Sequence, residues 1–141
     1  MALDRAVKDK INLKQDPEQD KAAREWIEAV IGEKFSTDDY AEALHDGVLL
    51  CKLMNKLKPG SIPKIHTSGG PMKLRENIGL FQNAARAYGV SESEVFQAVD
   101  LFDKQNIQQV TLCIFALNRL AQKQNFGGPK LNYQTKLPTY D

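Results

Sequence analysis

The chain has 141 residues, of which 42% are hydrophobic and 26% charged, a length and balance typical of one compact domain. Its apolar runs are far too short to cross a membrane, and no continuous apolar signal segment follows Met1. The formal net charge is +1, but residues 1–15 and 123–141 carry +2 each and the residues between them −3. This charge is too dilute for a nucleic-acid-binding face, so we expect no nucleic-acid partner. The lack of a membrane span and of a signal segment leads us to expect a cytoplasmic protein without membrane insertion.

The first predicted helix begins with Asp16 as cap, Pro17 in the first turn and Gln19 positioned to complete a capping box. Gly32 offers a left-handed exit from this helix. Its apolar residues recur at three- and four-residue spacing, which predicts one buried face: Ala22, Ala23, Trp26, Ile27, Val30 and Ile31. Trp26 is interpreted as a core anchor rather than as a ligand-stacking ring.

A short helix is predicted through Tyr40 and Leu44, after a start signal at residues 36–39. Asp46 then caps a core helix that Pro59-Gly60 ends. Its apolar positions form a broad buried face: Val48, Leu49, Leu50, Leu53, Met54 and Leu57. The glycine- and proline-rich stretch 58–71 predicts a long loop.

The next helix is expected from about Lys73 to Tyr88. A second short helix is expected to start at Ser91–Glu94, by a capping box, with Val95, Phe96 and Val99 turned inward. Asn106 opens the last long helix, whose apolar residues cover too much of its circumference for a surface helix: Ile107, Val110, Cys113, Ile114, Phe115, Leu117, Leu120 and Ala121. We therefore predict an all-α fold with four main helices plus short helical turns, in which the last long helix is central.

A search for chemistry finds no catalytic, metal or cofactor-binding constellation. His45 and His66 lack partners at zinc-ligand spacing, and capping explains Asp46 better than an acid–base pair with His45. Cys51 and Cys113 fall among core positions and are interpreted as buried, reduced thiols. We expect no enzyme, and a function that depends on a surface.

Four segments together closely resemble the calponin homology domain. They are 23–30 (AREWIEAV), the run from Asp46-Gly47 to Pro59-Gly60, 75–81 (RENIGLF), and 100–102 (DLF) leading through Asn106 to Leu117. The basic lead-in, Ser68-Gly69-Gly70 and Gly128-Pro129-Lys130-Leu131 resemble the single amino-terminal domain of calponin and transgelin. The resemblance implies three parts: a basic arm at 1–17, the domain at 18–124, and a tail at 125–141 without a recognisable calponin-like repeat.

The resemblance also implies a non-enzymatic, actin-cytoskeleton-associated binding module located in the cytoplasm and cytoskeleton. In that family the first helix and the last two helical segments contact filamentous actin, so the candidate actin-binding residues here are Lys21, Lys104, Arg119 and Lys123. Each is also an ordinary solvated cation, and this structural interpretation stays open. The alternative function is a docking module with little intrinsic actin affinity, whose partners are signalling kinases or other cytoskeletal proteins.

The amino-terminal arm has Leu3, Ala6, Val7 and Ile11 at roughly helical spacing among basic residues. Attachment of this arm to an anionic membrane is one interpretation. Packing on the domain, or fraying in solvent, is the simpler one because the apolar stripe is thin.

Overall fold

A computed structural model describes residues 16–133 of the chain. Six helices and no strand occur within these residues. The predicted all-α class, with four main helices plus short helical turns, is therefore confirmed. The six helices are α1 (Pro17–Ile31), α2 (Tyr40–Leu44), α3 (Val48–Leu57), α4 (Gly70–Tyr88), α5 (Ala98–Phe102) and α6 (Ile107–Lys123).

Helix α1 begins and ends at the residues that its local signals predict. The Asp16 carboxylate accepts the backbone amides of Glu18 at 2.9 Å and Gln19 at 3.4 Å, and Gly32 ends the helix with a φ of 75°. The capping box predicted from the sequence would have the Gln19 side chain accept a hydrogen bond from the Asp16 amide, and this bond does not form. The Gln19 side-chain carbonyl oxygen instead accepts a hydrogen bond from Gln108 of α6 at 2.9 Å.

The entry into α3 is fixed by Asp46, Gly47 and Asn77 together. Asp46 Oδ1 accepts the amide of Val48 at 3.0 Å, as its predicted capping role requires. Gly47 has a φ of 74°, and a Cβ on this residue would lie 2.9 Å from Cβ of Asn77. Only glycine fits here, because both the backbone angle and the approach of α4 exclude a side chain.

Helix α4 begins at Gly70, three residues before the expected start near Lys73, with Pro71 in its first turn. Its fully buried Asn77 ties three chain segments together. Asn77 Oδ1 accepts the amide of His66 at 2.9 Å, and Nδ2 donates to the carbonyls of His66 at 2.6 Å and Asp46 at 3.0 Å. The long loop is thereby held against α3 and α4.

The predicted start of the second short helix at Ser91–Glu94 was wrong. These residues form a single turn, in which the Ser91 hydroxyl donates to the Glu94 carboxylate at 3.0 Å. Helix α5 starts later, after a capping box in which the amide of Gln97 donates to Asp100 at 2.8 Å. Val95 and Phe96, which follow the turn, are buried as expected, but Val99 is 40% exposed.

Helix α6 packs against α1, α4 and α5, and α3 packs against α1 and α4, so the last long helix lies centrally. The core anchor predicted at Trp26 is confirmed, since this ring is only 2% exposed. Removing such an aromatic side chain from a core typically costs about 3–5 kcal/mol. The four long helices therefore form a single packed core around Trp26 and α6.

Candidate interaction face

The amino-terminal turns of α1 and α6 lie side by side and are joined by polar side chains. The Thr111 hydroxyl of α6 donates to Asp20 of α1 at 2.9 Å and lies 2.8 Å from the hydroxyl of Tyr40. Because Thr111 has one proton, Tyr40 is the donor in their mutual bond. Burial raises the pKa of Tyr40 far above its ordinary value, so it remains a neutral donor. Hydrogen bonds of Thr111 thus connect α6 to both α1 and α2.

Lys21 is exposed on the outer side of α1. It lines a shallow groove of about 520 Å³ between α1 and the chain that follows α6, together with Pro17, Glu18, Ala22, Glu25, Asn132 and Tyr133. Within residues 16–133, Lys21 forms no ion pair. Its ammonium group is therefore available to a partner, although two glutamates lie in the same groove.

Arg119 and Lys123 lie one turn apart on α6 and line a second groove, of about 480 Å³, that also contains Glu94 and Leu120. Arg119 pairs with the Glu94 carboxylate, and both side chains are partly exposed. Lys123 is exposed and has no ion-pair partner in the described part of the chain. The structure brings these two candidate residues together.

Lys104 and Lys123 lie at opposite ends of α6. Lys104 precedes α6 with a positive φ of 53°, and its Nζ lies 3.3 Å from Glu42 of α2. Lys123 is at the opposite end of α6, about 24 Å away along a helix that rises 1.5 Å per residue. The four candidates therefore do not form one patch, and Lys104 already has an anionic neighbour.

Residues 126–133, which we name the strap, turn back over α1 and α6. The indole N–H of Trp26 donates to the carbonyl of Pro129 at 2.8 Å, and the amide of Leu131 donates to Asn118 Oδ1 at 3.1 Å. The ring of Tyr133 packs edge-to-face on Phe115 with centroids 5.3 Å apart.

The strap reaches the beginning of α1, where the Tyr133 hydroxyl donates to Asp16 Oδ2 at 3.1 Å. As the residue number rises along the strap, the number of the contacted residue falls on both helices. The strap is therefore antiparallel to α1 and α6 and lies in the seam between them. Sequence reasoning missed this docking, although the alternation of Leu131 and Tyr133 with polar residues was a weak signal.

The other chemical groups considered from the sequence have structural roles. His45 Nε2 lies 2.7 Å from the carbonyl of Phe102, and the two rings stack with centroids 5.0 Å apart. Burial raises the pKa of the Cys51 and Cys113 thiols to about 12, which keeps both protonated and unreactive at neutral pH. Both thiols are buried and free, as predicted.

Among the residues that the structure describes, no group of three or more histidine, cysteine, aspartate or glutamate side chains is arranged to hold a metal ion. None of the six helices is long and apolar enough to cross a membrane. The arrangement therefore offers exposed cations, two shallow grooves and a docked strap.

The calponin homology (CH) domain model matches residues 17–123. The chain is 51% identical over 133 residues to Muscle-specific protein 20 of Drosophila melanogaster, covering 93% of this chain and 72% of that protein. It is 46% identical over 128 residues to Myophilin of Echinococcus granulosus, covering 89% of this chain and 67% of that protein.

Solved structures agree with the family match. The calponin-homology domain of Rng2 from Schizosaccharomyces pombe aligns with a TM-score of 0.74 and 25% identity, over 88% of this chain and 79% of that one. A chain of Vav1 aligns with a TM-score of 0.66 and 25% identity, over 88% of this chain and 24% of that one. The chain therefore belongs to the calponin homology domain family and is a CH domain of the calponin/transgelin type.

Proposed function

We propose that this chain is a non-enzymatic binding module of the actin cytoskeleton that contributes to filament binding or its regulation in the cytoplasm. Family membership supports a cytoskeletal role, and a relative named as a muscle-specific protein agrees with it. In this proposal residues 18–124 form the binding domain, with residues 1–17 as a basic arm and 125–141 as a tail.

The observation that carries the proposal is the position of the exposed cations on α1 and α6. Lys21 belongs to α1, and Arg119 and Lys123 belong to the adjacent α6. A partner that lies across both helices can reach cations from each of them. An acidic filament surface has the complementary charge, and such contacts favour association most at low ionic strength.

Co-sedimentation with actin filaments tests the proposal. We expect Lys21→Glu and Lys123→Glu together to weaken pelleting about ten-fold at low salt, since rim charges act mainly through long-range attraction. Lys58→Glu and Lys64→Glu together are the matched control, because both lysines are exposed and the pair makes the same charge change at positions outside α1 and α6. Loss of pelleting in the control to the same extent would show that only net charge matters.

A second candidate function is docking of a soluble partner, such as a signalling kinase or another cytoskeletal protein. It is favoured by the ion pairs of Arg119 with Glu94 and of Lys104 with Glu42, which neutralise two of the four candidate cations. Under this function the chain does not pellet with filaments even at low salt. It instead binds a purified kinase or cytoskeletal protein saturably, as measured by calorimetry.

A further inference from the structure

The strap is held less firmly than the helices beneath it. Residues 127–133 belong to no helix, so they lack the internal ladder of backbone hydrogen bonds that stabilises α1 and α6. Three of their contacts with the body are the bonds of Pro129 to Trp26, Leu131 to Asn118 and Tyr133 to Asp16. The connection to α6 passes through Gly127 and Gly128, which have the widest choice of backbone angles.

The strap covers apolar surface at the seam between α1 and α6. Trp26 and Phe115 lie beneath it, and its own Phe126 and Leu131 are partly buried against the core. Tryptophan and other large aromatic rings are the side chains that most often dominate protein–protein binding energy. The strap therefore covers aromatic side chains of the kind that contribute strongly to protein–protein binding.

The strap also lies beside the exposed Lys21 of α1. Lys21 lines a groove whose other wall is formed by Asn132 and Tyr133, whereas Arg119 is on α6, one residue beyond the Asn118 that binds Leu131. A partner that enters the Lys21 groove therefore meets Asn132 and Tyr133 of the strap. When the strap is closed, such a partner contacts the strap. When the strap is open, the partner can contact Trp26 and Phe115.

We propose that the strap is a latch: its residues 127–133 open as a unit while the six-helix body stays folded, and opening strengthens filament binding by uncovering Trp26 and Phe115 near Lys21. The second clause rests on the proposed function. Tyr133 is the contact that decides closure, because it joins Phe115 of α6 through its ring and Asp16 of α1 through its hydroxyl.

Hydrogen exchange of the intact chain tests the opening directly. The Leu131 amide, which donates to Asn118, reports on the strap, and the Ile114 amide in the buried part of α6 reports on the body. We expect Leu131 to exchange at least about a hundred-fold faster than Ile114. Equal exchange of the two amides would show that the strap opens only when the body unfolds, and would overturn the latch.

The variants Tyr133→Ala and Tyr133→Phe separate the ring from the hydroxyl. Tyr133→Ala should speed Leu131 exchange by about ten-fold or more, and Tyr133→Phe by less, because it keeps the aromatic pair and loses only the bond to Asp16. Asn132→Ala, the adjacent strap residue, should leave the exchange rate unchanged. Trp26 is the only tryptophan of the chain, so a red shift of its emission in Tyr133→Ala independently reports the loss of its Pro129 partner.

Actin co-sedimentation of the same variants tests the consequence. Tyr133→Ala should pellet with at least about three-fold higher affinity than the parent chain, in keeping with the cost of occupying a site that is open only part of the time. If strap opening is verified and affinity is unchanged or lower, control of filament binding by the latch is wrong. If neither parent nor variant pellets, the proposed function is wrong, and so is regulation of filament binding by the strap. The exchange rates of Leu131 and Ile114 then still show whether the strap opens while the body stays folded.

Discussion

Replacing Asn77 by alanine is expected to destabilise the domain more than any other single amide substitution on α4. The side chain is fully buried and bonds three backbone groups: the amide and carbonyl of His66 and the carbonyl of Asp46. Alanine would leave all three without their partner. The long loop before α4 would then lose its attachment to the entry of α3.

The magnitude follows from the cost of an unsatisfied polar group, which is about 1–3 kcal/mol when the group is buried. His66 is only partly buried, so water can replace part of what is lost there. We therefore take the lower end of the range for each group, about 3 kcal/mol in total. For a domain of this size that corresponds to a fall in Tm of about 10 °C.

Urea denaturation followed by Trp26 emission gives the free energy of unfolding, and thermal unfolding followed by circular dichroism gives Tm. Asn83→Ala is the matched control, because Asn83 is an exposed asparagine on the same helix. Asn77→Asp should cost at least as much as Asn77→Ala, since a carboxylate cannot donate to the two carbonyls. If Asn77→Ala lies within about 0.5 kcal/mol of Asn83→Ala, the role assigned to this amide is wrong.

Other consequences concern buried groups and one glycine. Because burial raises the pKa of Cys51 and Cys113 from 9.0 to about 12, the folded state keeps protons that the unfolded state releases above pH 9, and stability falls as pH rises through 9 to 12. The slope is about 1.4 kcal/mol per pH unit per thiol, so Cys113→Ala should flatten the dependence of unfolding free energy on pH; an unchanged slope would contradict this. Thr111→Val should cost about 2 kcal/mol in urea denaturation by leaving Asp20 without its donor from α6, and a neutral effect would refute the hydrogen-bond relay. Gly47→Ala should lower Tm by about 10 °C through steric conflict at the α3 entry, whereas Gly79→Ala, at an open helical position, should not; equal effects would argue against the close approach of α4.

The parts of the fold that sequence predicted are those set by neighbouring residues. The limits of α1 follow from Asp16, Pro17 and Gly32, which act within one turn of the helix ends. The turn at Ser91–Glu94 shows the limit of such reasoning, because the capping pattern formed its local hydrogen bond without continuing into a helix. Local signals specify a start, and packing decides whether a helix follows.

The candidate site depended on contacts between distant parts of the chain. The pairing of Arg119 with Glu94 and of Lys104 with Glu42 joins residues far apart in sequence, so exposure of a lysine or arginine could be expected but its neutralisation could not. The strap is the extreme case, since Trp26 and Pro129 are 103 residues apart. No periodicity or spacing in residues 126–133 specifies which helices they contact.

Closure of the strap on Asp16 also determines how the domain would respond to mechanical force. Asp16, which caps α1, and Tyr133 of the strap are joined by one hydrogen bond, so tension applied at these two residues loads that bond before any helix. The strap would then open before the packed helices separate, because its few hydrogen bonds with the body hold it less firmly than a buried core holds a helix. A pull of this kind would therefore uncover the seam while the helical core stays intact.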